Sequence, residues 1–117
     1  MGLNDSTKPL RSKLLAVPQY REQYLKNVRT LADHWLDWQT MGPLVKQYSS
    51  LIEKEVAADT RKLSSLTAFE QAVATGPARE EAGGGRRGPT SLWTFAHERR
   101  KFLLDYPAIK ELPAPSK

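Results

Sequence analysis

The side chains able to do chemistry in this 117-residue chain are few, and their spacing keeps them apart. There are two histidines, His34 and His97, and no cysteine, so thiolate chemistry and disulfides are excluded and the redox compartment is not legible. Asp33, His34 and Asp37 fall within about one helical turn and come nearest to a metal-binding group. A structural or catalytic metal takes three or four converging ligands, commonly with HExxH or paired spacing, and neither pattern is written here. We read His34 as a half-exposed side chain bonded to a neighbour and expect no metal ligands. The run His97-Glu98-Arg99-Arg100-Lys101 holds an acid, a base and cations suited to a phosphate clamp. On a helix His97 and Lys101 lie one turn apart while Glu98 faces elsewhere, so the run wraps around the axis and reads as a solvated rim.

Other catalytic signatures are missing. Gly83 to Gly85 follow Glu80-Glu81-Ala82 and precede arginines, not the strand-to-helix setting of a phosphate loop. GxxxxGK, Gly-x-Ser-x-Gly and a Ser/His/Asp set in recognisable context are absent. No catalytic, cofactor-binding or metal residue is therefore assigned, and the chain alone does not read as an enzyme.

The formal charge of +5 raises nucleic acid as a partner. The excess is spread along the chain: residues 1–62 hold ten Lys/Arg against seven Asp/Glu, residues 63–90 three against three, and residues 91–117 five against three. That is a mixed-charge solvated surface, not a basic patch. Arg86 and Arg87, set among glycines, resemble the arginine-glycine segments of RNA-binding proteins, but a single such pair reads as a solvated linker. Nucleic acid is a disfavoured partner.

The elements that must position these residues are helical, and no strand signal appears, so the fold class is all-α. Pro9 starts a short helix over about 9–16 that Val17, ahead of Pro18, ends. Pro18 opens a long helix to about residue 38, with Tyr24, Leu25, Val28, Leu31, Ala32, Trp35 and Leu36 on one face. Thr40-Met41-Gly42-Pro43 reads as a turn leading into a helix over 43–58 that carries Leu44, Val45, Tyr48, Leu51, Ile52 and Val56. So short a link predicts an antiparallel hairpin over 18–58. Thr67 and Glu70 have capping-box spacing for a short helix over 67–75 burying Phe69, Ala72 and Val73. Ser91 caps a closing helix over 91–106, stopped by Pro107 and faced by Leu92, Phe95, Ala96, Phe102, Leu103 and Tyr106.

Residues 1–8 and 113–117 read as disordered ends, and the Gly/Arg-rich residues 76–90 as a flexible linker, leaving about 85 residues for a small core. The domain order is thus a hairpin and short helix over 9–75, the linker, and a closing helix over 91–112. No apolar run approaches the roughly 20 residues needed to cross a bilayer, and MGLNDSTKP lacks a signal-peptide core. The chain as given is expected to stay where it is made, in the cytoplasm by default, with no membrane partner.

Three residues stand out as candidate interface. Trp38 and Trp93 fall off the main apolar stripes, and tryptophan outside a core commonly marks a docking surface. Arg99 shares the stripe of the closing helix and is expected to be partly buried against an acidic group.

Lys8 to Leu25 (KPLRSKLLAVPQYREQYL), Leu44 to Lys62 (LVKQYSSLIEKEVAADTRK) and Ser91 to Tyr106 (SLWTFAHERRKFLLDY) resemble, in that order, the C-terminal helical region of CotH-type proteins. These are bacterial spore-coat-H-like proteins with an atypical, secreted-kinase-like fold. The resemblance covers most of residues 8–112, with a gap at the glycine-rich segment. It implies that the nucleotide-binding lysine region and acidic metal-binding motifs lie outside this chain. It also implies a helical subdomain buttressing an ATP- and Mg²⁺-dependent core that phosphorylates Ser/Thr of a spore-coat or envelope protein. The expected partner is a protein, either that core or a second copy. Two other readings are a self-standing helical interaction module and a nucleic-acid binder using Arg86, Arg87, Arg99 and Arg100.

Overall fold

The computed structural model describes residues 3–76 and 91–113. Every regular element among them is helical, so the fold is all-α. Helix α1 (Pro9–Ala16) and helix α2 (Pro18–Thr30) each begin with proline at the first helical position, where its missing N–H costs nothing. Val17, extended ahead of Pro18, separates them as expected.

The expected long helix to residue 38 and turn at 40–43 are corrected. α2 ends at Thr30, and the chain widens into one π-helical turn, Leu31–Trp35. The Leu36 N–H donates to the Leu31 carbonyl at 3.0 Å, the wide bond of that turn. The break falls at Leu36 and Asp37, and helix α3 (Trp38–Ala58) runs straight through Gly42 and Pro43. The Asp37 carbonyl already accepts from Thr40 and Met41 at 3.0 and 2.9 Å, so the helix is established before the proline removes one interior hydrogen bond. Gly42 serves close packing, not a turn: a Cβ there would stand 2.9 Å from the indole nitrogen of Trp38.

Nor does the antiparallel hairpin form. α3 packs on the π turn and on helices α4 (Leu66–Val73) and α5 (Leu92–Leu104), not on α2. The flank of α2 is taken by α1, by α5 and by helix α6 (Pro107–Lys110). Pro107 does stop α5, but it also opens α6 as its first residue, an element the sequence reading did not anticipate.

Side-chain caps fix two helix starts. Ser91 caps α5 as expected, its Oγ accepting the Thr94 N–H at 3.1 Å and donating to the Gly76 carbonyl at 3.3 Å from a fully buried position. α4 starts earlier than Thr67, because Ser65 Oγ accepts the Ala68 N–H at 3.1 Å. Phe69, Ala72 and Val73 are half-buried there.

The core lies where the two ends of the chain meet. Leu3, Leu15, Leu25 and Ile109 are buried together, with Val28, Tyr106, Ala108 and Leu112 packed against them. Within residues 3–8, expected from the sequence as part of a disordered end, Leu3 lies in the core, and Asp5 accepts from both the N–H and the hydroxyl of Thr7, at 3.0 and 2.6 Å. At the other end Arg29 donates to the carbonyls of Leu112 and Pro113 at 3.4 and 2.9 Å. Residues 77–90 of the expected linker and 114–117 of the expected tail lie outside the described residues. Where α5 crosses the π turn, Ala32 and Ala96 are both buried, small side chains that let two backbones approach. Among the described residues no helix is long and apolar enough to cross a membrane.

Candidate interaction surface

The three residues singled out from the sequence are not brought together. Trp38 is half-buried, its ring lying over Gly42 of its own helix. Trp93 is half-buried and stacked on His97 one turn along α5, with ring centroids 5.0 Å apart and planes within 3°. Arg99 is exposed, against the expectation of partial burial beside an acid. Its guanidinium lies 5.2 Å from the centroid of the Phe102 ring, a cation-π contact within its own helix.

Arg100, one residue on, makes the tertiary contact instead. Its Nε donates to the Ala32 carbonyl at 3.1 Å, and its Nη2 lies 3.9 Å from Asp33. Asp33 also faces Arg29, with Nε to Oδ2 at 3.9 Å. The carboxylate once grouped with His34 and Asp37 is therefore held between two guanidiniums, which is the environment of an ion pair and not of a metal ligand. Among the described residues no three His, Asp or Glu side chains converge on a point that could hold a metal ion.

An open groove of about 410 Å³ is lined by Glu98, Lys101, Phe102, Asp105, Tyr106 and Pro107. Its Asp105 is engaged by Lys110 at 2.9 Å, and the hydrogen bond and charge of Lys110 hold that carboxyl below its ordinary value. Of the arginines considered for nucleic acid, Arg86 and Arg87 lie outside the described residues, and Arg99 and Arg100 face Phe102 and Ala32.

What the sequence reading missed is an exposed apolar surface on α3. Leu44, Tyr48, Leu51 and Ile52 were assigned to a packed hairpin face, yet they are 39%, 62%, 75% and 44% exposed. The side of α3 that packs on its neighbours carries Trp38, Gly42, Val45 and Val56. Trp35, placed on the expected core face of the long helix, is 58% exposed, as is Leu31 of the same face at 52%. Each of these side chains would contribute about 1.5–3 kcal/mol if fully buried, which makes this face a candidate interaction surface. The signal was in the sequence as α3's own periodicity, but periodicity alone does not say which molecule supplies the other half.

No curated protein and no solved structure matches the chain. A family model does: the one described as CotH kinase protein matches residues 1–103, which takes in α1 to α4 and nearly all of α5. The three helical blocks that resemble that family lie almost wholly within the match, and this chain belongs to the CotH kinase protein family.

Proposed function

We propose that this chain is a helical subdomain of a CotH-type protein that buttresses a kinase-like core through the apolar surface of α3. The observation carrying this reading is the exposure of Leu44, Tyr48, Leu51 and Ile52 along one helix of a family member. Burying such a face against a second body would add to the stabilisation from the small core of Leu3, Leu15, Leu25 and Ile109. The core would transfer the γ-phosphoryl group of ATP to a Ser or Thr hydroxyl, and this chain would set the stability and orientation of that core without touching the nucleotide.

The test is a CotH-type core truncated ahead of the block that corresponds to residues 8–106, assayed for phosphoryl transfer with and without this chain added. Activity that rises and saturates with added chain supports the buttress. Full activity of the truncated core, or a stoichiometric heat on titrating Mg²⁺-ATP into the chain alone, overturns it. A self-standing interaction module would instead bind a partner and leave the truncated core unchanged.

A further inference from the structure

The last helix is the least self-sufficient element of the fold. α6 has four residues, too few to hold a helix by themselves, and Pro107 at its first position brings no N–H. No side chain caps it at Tyr106. The amides that follow bond inside the segment: Ile109 and Lys110 donate to the Tyr106 carbonyl at 2.9 and 3.1 Å, Glu111 to Pro107 at 3.0 Å and Leu112 to Ile109 at 3.2 Å.

The ties from this segment to the rest of the chain are local. Ile109 sits in the core at 2% exposure, with Ala108 and Leu112 partly buried beside it. Nη1 of Arg29, on α2, donates to the Leu112 and Pro113 carbonyls. The Lys110–Asp105 pair is more than half exposed on both sides and adds little. α6 packs on α2 and α5 alone, so the other helices and the π turn keep their packing on one another without it. The join is also open to movement. Asp105 and Tyr106 are all that stand between α5 and α6, and the open groove lies against them, lined by both residues and by Pro107.

From this we infer that residues 107–113 form a strap that opens as a unit while α1 to α5 stay folded, with Ile109 as its plug and Arg29 as its latch. Closed, the strap covers an apolar site floored by Leu3, Leu15, Leu25 and Val28; open, it uncovers that site. A segment with so few outside ties opens at a free energy below that of global unfolding. Arg29 also faces Asp33 of the π turn through Nε at 3.9 Å, whereas Nη1 bonds the two carbonyls, so the latch and the ion pair can be removed separately. No residue of α3 takes part.

Hydrogen exchange of the full chain, followed residue by residue by NMR in increasing sub-denaturing urea, tests the strap. The amides of Ile109, Lys110, Glu111 and Leu112 should be protected at least about tenfold less than those of Leu25 and Leu103, with a weaker urea dependence, because opening a strap exposes little surface. Arg29→Ala should lower the protection of those four by about a further fivefold, while Asp33→Asn, which keeps the carbonyl bonds, leaves them within about twofold. The wild-type profile decides even if a variant fails to fold. Strap amides with the protection and urea dependence of Leu25 and Leu103 would overturn the inference. So would a folded Arg29→Ala chain that leaves the four amides unchanged or loosens Leu25 equally, or an Asp33→Asn chain that loosens them as much as Arg29→Ala does.

Discussion

The Arg100 guanidinium of α5 reaches across to the carbonyl of Ala32 in the π turn, with Nε to O at 3.1 Å. A carbonyl near a helix end lacks its usual intrahelical donor, and Arg100 supplies one from a neighbouring element. The same side chain approaches Asp33, and Asp33 approaches Arg29, which holds the C-terminal carbonyls of Leu112 and Pro113. Three helical segments and one chain end are thus tied by a single polar network laid over the buried Ala32 and Ala96. Arg100→Ala should lower unfolding free energy by about 1–2 kcal/mol, since a hydrogen bond from a charged donor is lost at a half-buried site. Urea unfolding followed by circular dichroism measures it, and Arg99→Ala, which loses only an exposed contact to Phe102, should change stability by about 0.5 kcal/mol or less.

The core at the meeting of the chain ends gives a second expectation. Ile109 is 2% exposed although it lies in a four-residue helix near the C-terminus. Ile109→Ala should destabilise the chain by about 2–4 kcal/mol through lost transfer energy and the cavity left beside Leu3, Leu15 and Leu25. Leu51→Ala, at an exposed position of α3, should cost the isolated chain no more than about 0.5 kcal/mol. Comparable losses at both positions would mean that α3's surface is already buried in the isolated chain.

Helix caps separate by burial. Ser91→Ala removes a cap and also the bond to the Gly76 carbonyl from a fully buried site, and should cost about 2 kcal/mol. Ser65→Ala removes a solvent-exposed cap and should cost about 0.5–1 kcal/mol, both read by thermal or urea unfolding.

These elements were unequally legible in the sequence, for physical reasons. Pro9, Pro18 and Ser91 act on their own backbone neighbours, so their helix starts could be read directly. Gly42-Pro43 was read as a turn because both residues favour one, whereas the glycine is there to admit the Trp38 ring and the proline costs an established helix one bond. The π turn gave no local signal. Leu3 and Ile109 entered the core through a contact across nearly the whole chain, which no window of periodicity contains. Of the candidate interface residues, Trp38, Trp93 and Arg99 made contacts within their own helices. The exposed face lay instead on residues whose apolar spacing had been taken for a core.

Stability should fall in acid. Asp5 is held below its ordinary value by the Thr7 hydroxyl and then the Thr7 N–H, with Arg11 adding, and Asp105 by the hydrogen bond and charge of Lys110. A carboxyl whose folded pKa is depressed contributes stability that is present above the unfolded value of about 3.9 and is lost as pH falls through the lower folded value. The urea midpoint should therefore drop as pH is lowered from about 5 to about 2, and Asp5→Asn with Asp105→Asn should flatten that drop. An unchanged acid limb in the double variant would contradict these two pairings.

Docking of α3 on a second body through Leu44, Tyr48, Leu51 and Ile52 can be measured by calorimetric titration of the chain into a CotH-type core that lacks this region, with Leu51→Glu run in parallel. Saturable one-to-one binding is expected, weakened by Leu51→Glu at least about tenfold while the variant stays helical, because a carboxylate would be forced into the apolar contact. A core that does not bind the folded chain, or that binds wild type and Leu51→Glu equally, would contradict it.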